Sequence, residues 1–314
     1  LIEQFSSHDE KPDGVAIRMG REKLHVVSPD VGIGQRLINL WEYRPLLLSL
    51  IRKELSVKYK NSVLGFVWSM LNPALTLIIY YVVFQLVLGS GIPQFAIFLL
   101  CGLVVWNFFQ AALMGATTSV VGNAGIVKKV SFPREVLPLA SVGSALVFFF
   151  LQSIVLIIAL VIARDAPAIS FLPLLLVAIV ALVILTSAIA IFLSALNVYY
   201  RDTQHLMEIV LMAWFWATPI VYPYHLVATL LGRHNILWAF FVNPMTAIIL
   251  TFQRTLYAQI SPLGANHLPV PILPANSELW YAGQLGIVVA VSVVLFFLAL
   301  RVFGRMEGNF AEEL

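Results

Sequence analysis

Long uncharged runs separated by short charged clusters dominate the chain. Asp, Glu, Lys and Arg are missing from 61–127, 136–163, 166–200, 209–232 and 279–300, and a helix crosses a bilayer core with about 20 consecutive apolar residues. The first run is long enough for two such helices and divides at Gly89-Ser90-Gly91-Ile92-Pro93, where glycine and proline favour a turn. The pattern predicts an all-α polytopic membrane protein with six transmembrane helices near 63–88, 94–121, 136–163, 172–200, 206–222 and 280–300.

Two segments fit neither an ordinary loop nor an ordinary span. Residues 45–62 enter the first span, and within them Leu47, Leu48, Ile51, Leu55 and Tyr59 share a helical face opposite Arg52, Lys53, Ser56 and Lys60. This predicts an interfacial amphipathic helix with snorkelling lysines, although Glu54 and Lys58 intrude near the apolar face. A solvated basic linker is the alternative. Residues 223–279 hold apolar pieces interrupted by Asn243-Pro244 and by Pro262, Pro269, Pro271 and Pro274. They read either as external re-entrant helices before the last span or as a plain external cap; non-helical backbone at membrane depth must be buried in protein or line a cavity.

Composition narrows the class. Sixty per cent of residues are hydrophobic and 11% charged, against about 25% charged in a soluble domain, which excludes a soluble globular protein. The net charge of +3 comes without a basic face, so no nucleic-acid footprint is present. Instead the positive charges sort by side. Arg44, Arg52, Lys53, Lys58, Lys60, Lys128, Lys129, Arg134, Arg201, Arg301 and Arg305 fall on one side, and only Arg164, Arg233 and Arg254 on the other. By the positive-inside rule both termini are expected in the cytoplasm, with 1–44 a cytosolic N-terminal extension and 63–314 the transmembrane domain.

The chemistry points away from ion coupling and from catalysis. Transporters driven by protons or sodium place ionisable groups within their spans, and here the spans hold almost none. No Gly-Lys pair occurs in the sequence, so it has no phosphate-binding P-loop of its own. One cysteine, Cys101, and scattered histidines give no metal-ligand spacing. His225, His234, His267, Asp165 and Glu278 are the only candidates for a membrane-embedded glycosyl- or acyltransferase, and they form no recognisable constellation. Aromatic residues are more suggestive. Tyr80, Phe84, Trp106, Trp214 and Trp216 could line a pathway on which sugars stack, or could be ordinary core and interfacial packing.

Several stretches resemble a known family. They are 52–73 (RKELSVKYKNSVLGFVWSMLNP), 127–138 (VKKVSFPREVLP), 197–202 (NVYYRD), 216–222 (WATPIVY) and 243–245 (NPM). Their order and content resemble the membrane subunits of ABC-2 type transporters, specifically the permeases that export polysaccharides such as O-antigen, teichoic acid and cell-wall galactan. The resemblance covers the chain from residue 45 onward. It implies a multi-pass permease of the bacterial inner membrane that works as a homodimer with two copies of a separate ABC ATPase. No cofactor is implied on this chain, ATP and magnesium being bound by the ATPase. It also implies that Asn123, Lys128, Lys129 and Arg134 lie at the ATPase-coupling loop. Arg52, Glu54, Arg201, Asp202 and Glu208 would form a charge network at a gate, and the five aromatic residues would line the channel. The expected cargo is a lipid-linked polysaccharide, moved among membrane lipids. An ABC-2 permease for a drug or small lipid is the alternative.

Overall fold

The computed structural model describes residues 32–59, 67–89, 91–164, 166–262, 269 and 272–314. Most of the N-terminal extension, Lys60, the start of the first expected span, Asp165 and His267 lie outside the described residues. Among the described residues the chain is helical and forms no β-strand.

Four helices are long and apolar enough to cross a membrane: α4 (Phe95–Gly122), α6 (Val136–Ala163), α7 (Leu172–Tyr199, preceded by a 3₁₀ turn at Ile169–Phe171) and α12 (Glu278–Met306). They match four of the expected spans to within two residues, except that α12 runs six residues past the expected end at 300. Each of the first three has 28 residues, or about 42 Å of helix, more than the hydrocarbon core needs. Ahead of them lie α1 (Ile33–Glu42), α2 (Arg44–Tyr59) and α3 (Val67–Tyr80), the last continuing into a π-helical segment at Tyr81–Val87. Pro73 sits inside α3. The expected turn after it forms with Gly89 and Gly91 at φ 59° and 68°, the left-handed region where glycine carries no Cβ penalty.

The fifth expected span differs in extent. Its helix, α8, covers Thr203–Trp216 and stops six residues short of the expected end at 222. Pro219 accounts for the stop: it lacks an N–H for the helical ladder and disfavours helical geometry at Thr218. At 14 residues, or about 21 Å, α8 alone is shorter than a bilayer core. The chain then forms α9 (Tyr224–Gly232), α10 (Leu237–Val242) and α11 (Pro244–Phe252), which runs into a second π segment at Gln253–Tyr257. Between α4 and α6 lies the short α5 (Ala124–Val127), and the chain closes with a 3₁₀ turn at Glu307–Asn309 and α13 (Phe310–Glu313).

At the centre is α4, packed chiefly against α6 and α7, with α12 on the far side of α7. Small residues permit the close approach. Ala112 and Ala116 of α4 and Ala178, Ala181 and Ala190 of α7 are buried, and a Cβ at Gly102 would stand 3.0 Å from the Ile220 side chain. Where lipid is as apolar as the side chains, such van der Waals fit holds helices together. A main apolar cluster fills the body, and a smaller one, including Leu50, Val120, Phe132, Leu300, Phe303 and Phe310, closes the Lys/Arg-rich end.

α2 packs against α6, but with a different face from the one its apolar periodicity suggests. Leu50 is buried and Leu46, Leu47 and Ile51 are half-buried, whereas Leu48 is exposed. The face is therefore rotated to include Glu54. This works because α6 offers Ser141 and Ser144 opposite the carboxylate, and Gly143 opposite Ile51, where a Cβ would fall 2.4 Å from Ile51 Cδ1.

Candidate functional site

Two polar assemblies stand out in this apolar molecule, one at an end of the helical body and one beside the middle of α4, where Trp214 meets Phe109. The first is a buried ionic cluster at the Lys/Arg-rich end. Arg36 of α1 donates to Glu135, just before α6, and to Glu307, just after α12, the latter at 3.2 Å. Arg134 approaches the Glu307 carboxylate at 3.8 Å, donates to its backbone carbonyl, and lies over the Phe310 ring. Arg36, Glu135 and Glu307 are all under 10% exposed. Among the described residues two guanidinium groups thus face two carboxylates, the balance of sign that burial of charge requires. Burial works against the charge on Arg36, but Glu135 and Glu307 outweigh it and hold the group above the ordinary arginine value. Gly304 makes the space, since a Cβ there would stand 2.4 Å from Arg36 Nη2. The cluster joins α1, the loop before α6 and the end of α12.

That loop is the one in which the coupling residues were expected. Asn123 caps the end of α4 by donating to Ser119 O at 2.8 Å, and accepts from Lys53 Nζ of α2 at 3.0 Å. Lys128 and Lys129 are exposed, beside exposed Ile126 and Val130, while Val127 and Phe132 anchor the loop in the apolar cluster. Arg134 points the other way, into the ionic cluster. The loop therefore shows two basic side chains and two apolar ones to its surroundings and is tied to α2 and α12 from behind.

The five residues expected in a charge network are not brought together within one chain. Glu54 accepts from Ser141 at 2.9 Å and Ser144 at 2.7 Å. Lys58, one turn on, lays its ammonium 4.4 Å over the Phe148 ring; burial of that group lowers it from the ordinary lysine value and Glu54 pulls it back. Glu54 and Lys58 line a small cavity of about 190 Å³ with Ala111, Gly115 and Ala145. Arg52, Arg201, Asp202 and Glu208 are exposed and form no ion pair among the described residues.

The second assembly holds the broken backbone between α8 and α11. Asn243 Oδ1 accepts from Trp214 Nε1 at 2.8 Å and from Met245 N at 3.1 Å, capping α11. Its amide donates to Thr218 Oγ1 at 2.9 Å. Thr218 Oγ1 donates to Trp214 O, and Gln253 Nε2, fully buried, donates to Pro219 O at 3.1 Å. Side chains thus replace the helical bonds that Pro219 interrupts. From Met245 to Tyr257 the chain is almost wholly buried, beside α4, α7 and α12.

The aromatic candidates divide. Trp106 is buried, covered by Phe109 and Phe215 at 5.6 and 5.5 Å. Tyr80 stacks on Phe215, and Phe84 packs on Phe95. Trp214 is half-buried with its edge on Phe109, whereas Trp216 is half exposed. Of the transferase candidates, His225 is exposed on α9 near Thr229, His234 lies in the turn after that helix, and Glu278 begins α12.

Sequence reasoning missed Arg36, Glu135, Glu307 and Gln253. Their only signal is a charged or amide residue at the edge of an apolar run, and partners 99 and 271 positions apart carry no local pattern.

The helical body and its four helices of spanning length and apolarity define a polytopic membrane protein. Residues 45–257 match the ABC-2 type transporter family, and the chain belongs to that family. Among curated proteins it is 32% identical over 275 residues to the O-antigen export system permease protein RfbA of Myxococcus xanthus, covering 88% of this chain and 97% of the relative. It is 30% identical over 276 residues to the protein of the same description from Klebsiella pneumoniae, again 88% and 97% of the two chains.

Proposed function

We propose that this chain is the membrane-spanning permease of an ATP-driven exporter that moves a lipid-linked cell-surface polysaccharide across the bacterial inner membrane. The observation that carries the reading is its likeness, over nearly the full length of each relative, to permeases described as parts of O-antigen export systems. The architecture is consistent with it. In this reading α3 with its π segment, α4, α6, α7 and α12 span the membrane, and α8 with the segment after it makes the sixth crossing. Residues 223–279 then return to the body as re-entrant helices, and both termini face the cytoplasm.

Two copies enclose the pathway. Support comes from α3 with its π segment and from α8, which expose Leu75, Ile78, Ile79, Val82, Leu86, Leu206, Ile209 and Met212, as a face between protomers or toward lipid would. Trp216 faces the pathway, with Tyr80, Phe84 and Trp214 partly exposed behind it and Trp106 supporting them. Two ABC ATPase subunits supply ATP and magnesium, and dock on the loop that displays Ile126, Lys128, Lys129 and Val130. Asn123 and Arg134 position that loop. Glu54 and Arg52, with Arg201, Asp202 and Glu208, transmit closure of the ATPase to the gate.

The test is co-expression with the ABC ATPase encoded beside it and purification into lipid nanodiscs. A two-plus-two complex whose ATP hydrolysis changes with lipid-linked glycan is expected. Lys128→Glu with Lys129→Glu should abolish co-purification of the ATPase while leaving the permease folded. Glu54→Ala and Arg201→Ala should leave assembly intact and lower glycan-dependent hydrolysis and transport. Normal transport in both of those variants removes the charge network, and a permease that binds no ATPase, or whose complex responds to a drug and not to glycan, removes the function.

A further inference from the structure

An open cavity of about 740 Å³ lies at the end of the body opposite the ionic cluster, where the starts of α7 and α12 meet the end of the buried α11 segment. Ser170, Phe171, Pro173, Leu174, Arg254, Asn276, Ser277, Glu278, Leu279 and Ala282 form its walls. The role argued above uses none of these residues. Its two charged groups have opposite sign and form no ion pair with each other among the described residues.

Arg254 is held in place: its guanidinium lies 4.5 Å over the Phe171 ring and Nη1 donates to Ala258 O at 3.1 Å. Among the described residues Nη2 makes no hydrogen bond, and Nε is buried without a hydrogen-bond partner. A guanidinium fixed by one edge and short of acceptors is suited to a phosphate oxygen. The first turns of α7 and α12 bring their positive ends to the same place, which favours an anion further. Across the cavity Glu278 is exposed at the start of α12, and a carboxylate there repels a ligand that is only anionic while attracting an amine.

The level is also informative. Both helices carry exposed apolar side chains away from the cavity, Leu172, Leu176 and Val180 on α7 and Ile287 and Val291 on α12, as lipid-facing helices do. Their starts therefore lie at the depth of lipid headgroups.

We propose that this cavity binds a zwitterionic phospholipid headgroup of the phosphoethanolamine type, with its phosphate on Arg254 and its primary amine on Glu278. The assignment rests on the membrane placement of α7 and α12 but not on the transported cargo. A pyrophosphate carrier, with two negative groups and no amine, is disfavoured by Glu278.

Native mass spectrometry of the full-length chain, delipidated in detergent and titrated with phosphatidylethanolamine or phosphatidylglycerol of matched acyl chains, tests the site without reference to ATP hydrolysis. The wild type is expected to retain phosphatidylethanolamine more strongly. Arg254→Gln should lower retention of both lipids by about tenfold, the effect of losing one charge-assisted hydrogen bond. Glu278→Gln, a surface change that keeps the fold, should erase the preference between them. Soluble phosphoethanolamine should compete, and inorganic phosphate should compete poorly. Equal retention of the two lipids by the wild type, or an unchanged preference in Glu278→Gln, overturns the proposal whether or not Arg254→Gln folds. Equal competition by inorganic phosphate reduces the site to a phosphate site and overturns the amine assignment.

Discussion

Glu135→Ala is expected to lose about 3–5 kcal/mol of stability, because it removes one of the two carboxylates that pair with the buried Arg36 guanidinium, and the other, Glu307, is already shared with Arg134. The loss is that of an uncompensated buried charge rather than of the pair's net worth. Replacing Arg36 and Glu135 together, by Arg36→Met and Glu135→Leu, should therefore recover much of it, since apolar residues of similar volume often substitute for a buried pair at little cost. Gly304→Ala is an independent probe. It puts a methyl group 2.4 Å from Arg36 Nη2, and the guanidinium can move aside only by leaving the carboxylates. Thermal unfolding in detergent should rank Glu135→Ala as the worst, Gly304→Ala next and the double variant mildest. A double variant as unstable as Glu135→Ala would show that the fold needs the charges themselves. A Glu135→Ala protein that melts like the wild type would mean the cluster is not buried.

Function follows from where the cluster sits. It connects the end of α12 and the N-terminal α1 to the loop bearing Lys128 and Lys129, and Lys53 fastens α2 to the same loop through Asn123. In the proposed function a push on that loop is passed to three helices rather than absorbed by a soft turn.

The apolar runs made four spanning helices legible, because a run of that length has few stable alternatives to a helix in lipid. The glycine turn was legible for a similar reason: Gly89 and Gly91 occupy conformations that other residues rarely adopt. What failed was pairing over distance. The apolar count on α2 placed Leu48 inside and treated Glu54 as an intruder, whereas two serines 87 and 90 positions away turn Glu54 inward. Arg36 lies in the segment expected as a cytosolic extension, and nothing near it in the sequence points to its partners just before α6 and just after α12. At 206–222 the apolar pattern continues past the end of the helix, since residues 218–221 are buried although Pro219 breaks their hydrogen bonding.

That break supports the second large expectation. Asn243→Leu keeps the approximate volume but removes the acceptor for Trp214 Nε1 and Met245 N and the donor for Thr218 Oγ1. Each polar group left buried without a partner costs about 1–3 kcal/mol, so a loss of about 3 kcal/mol is expected. Asn243→Asp retains both accepted bonds and a favourable helix cap and gives up only the donor, so it should lose markedly less. Trp214→Phe leaves Asn243 its contacts with Thr218 and Met245 and should cost about 1 kcal/mol beyond the ring's own packing. If Trp214 and Asn243 stabilise the break through their shared hydrogen bond, the two substitutions combined will cost less than their sum, with a coupling of about 1 kcal/mol. Unfolding of the four proteins in mixed detergent measures that difference. Strict additivity would mean that each residue acts alone, and the break would then depend on Gln253 and apolar burial, with Asn243 serving only as the cap of α11.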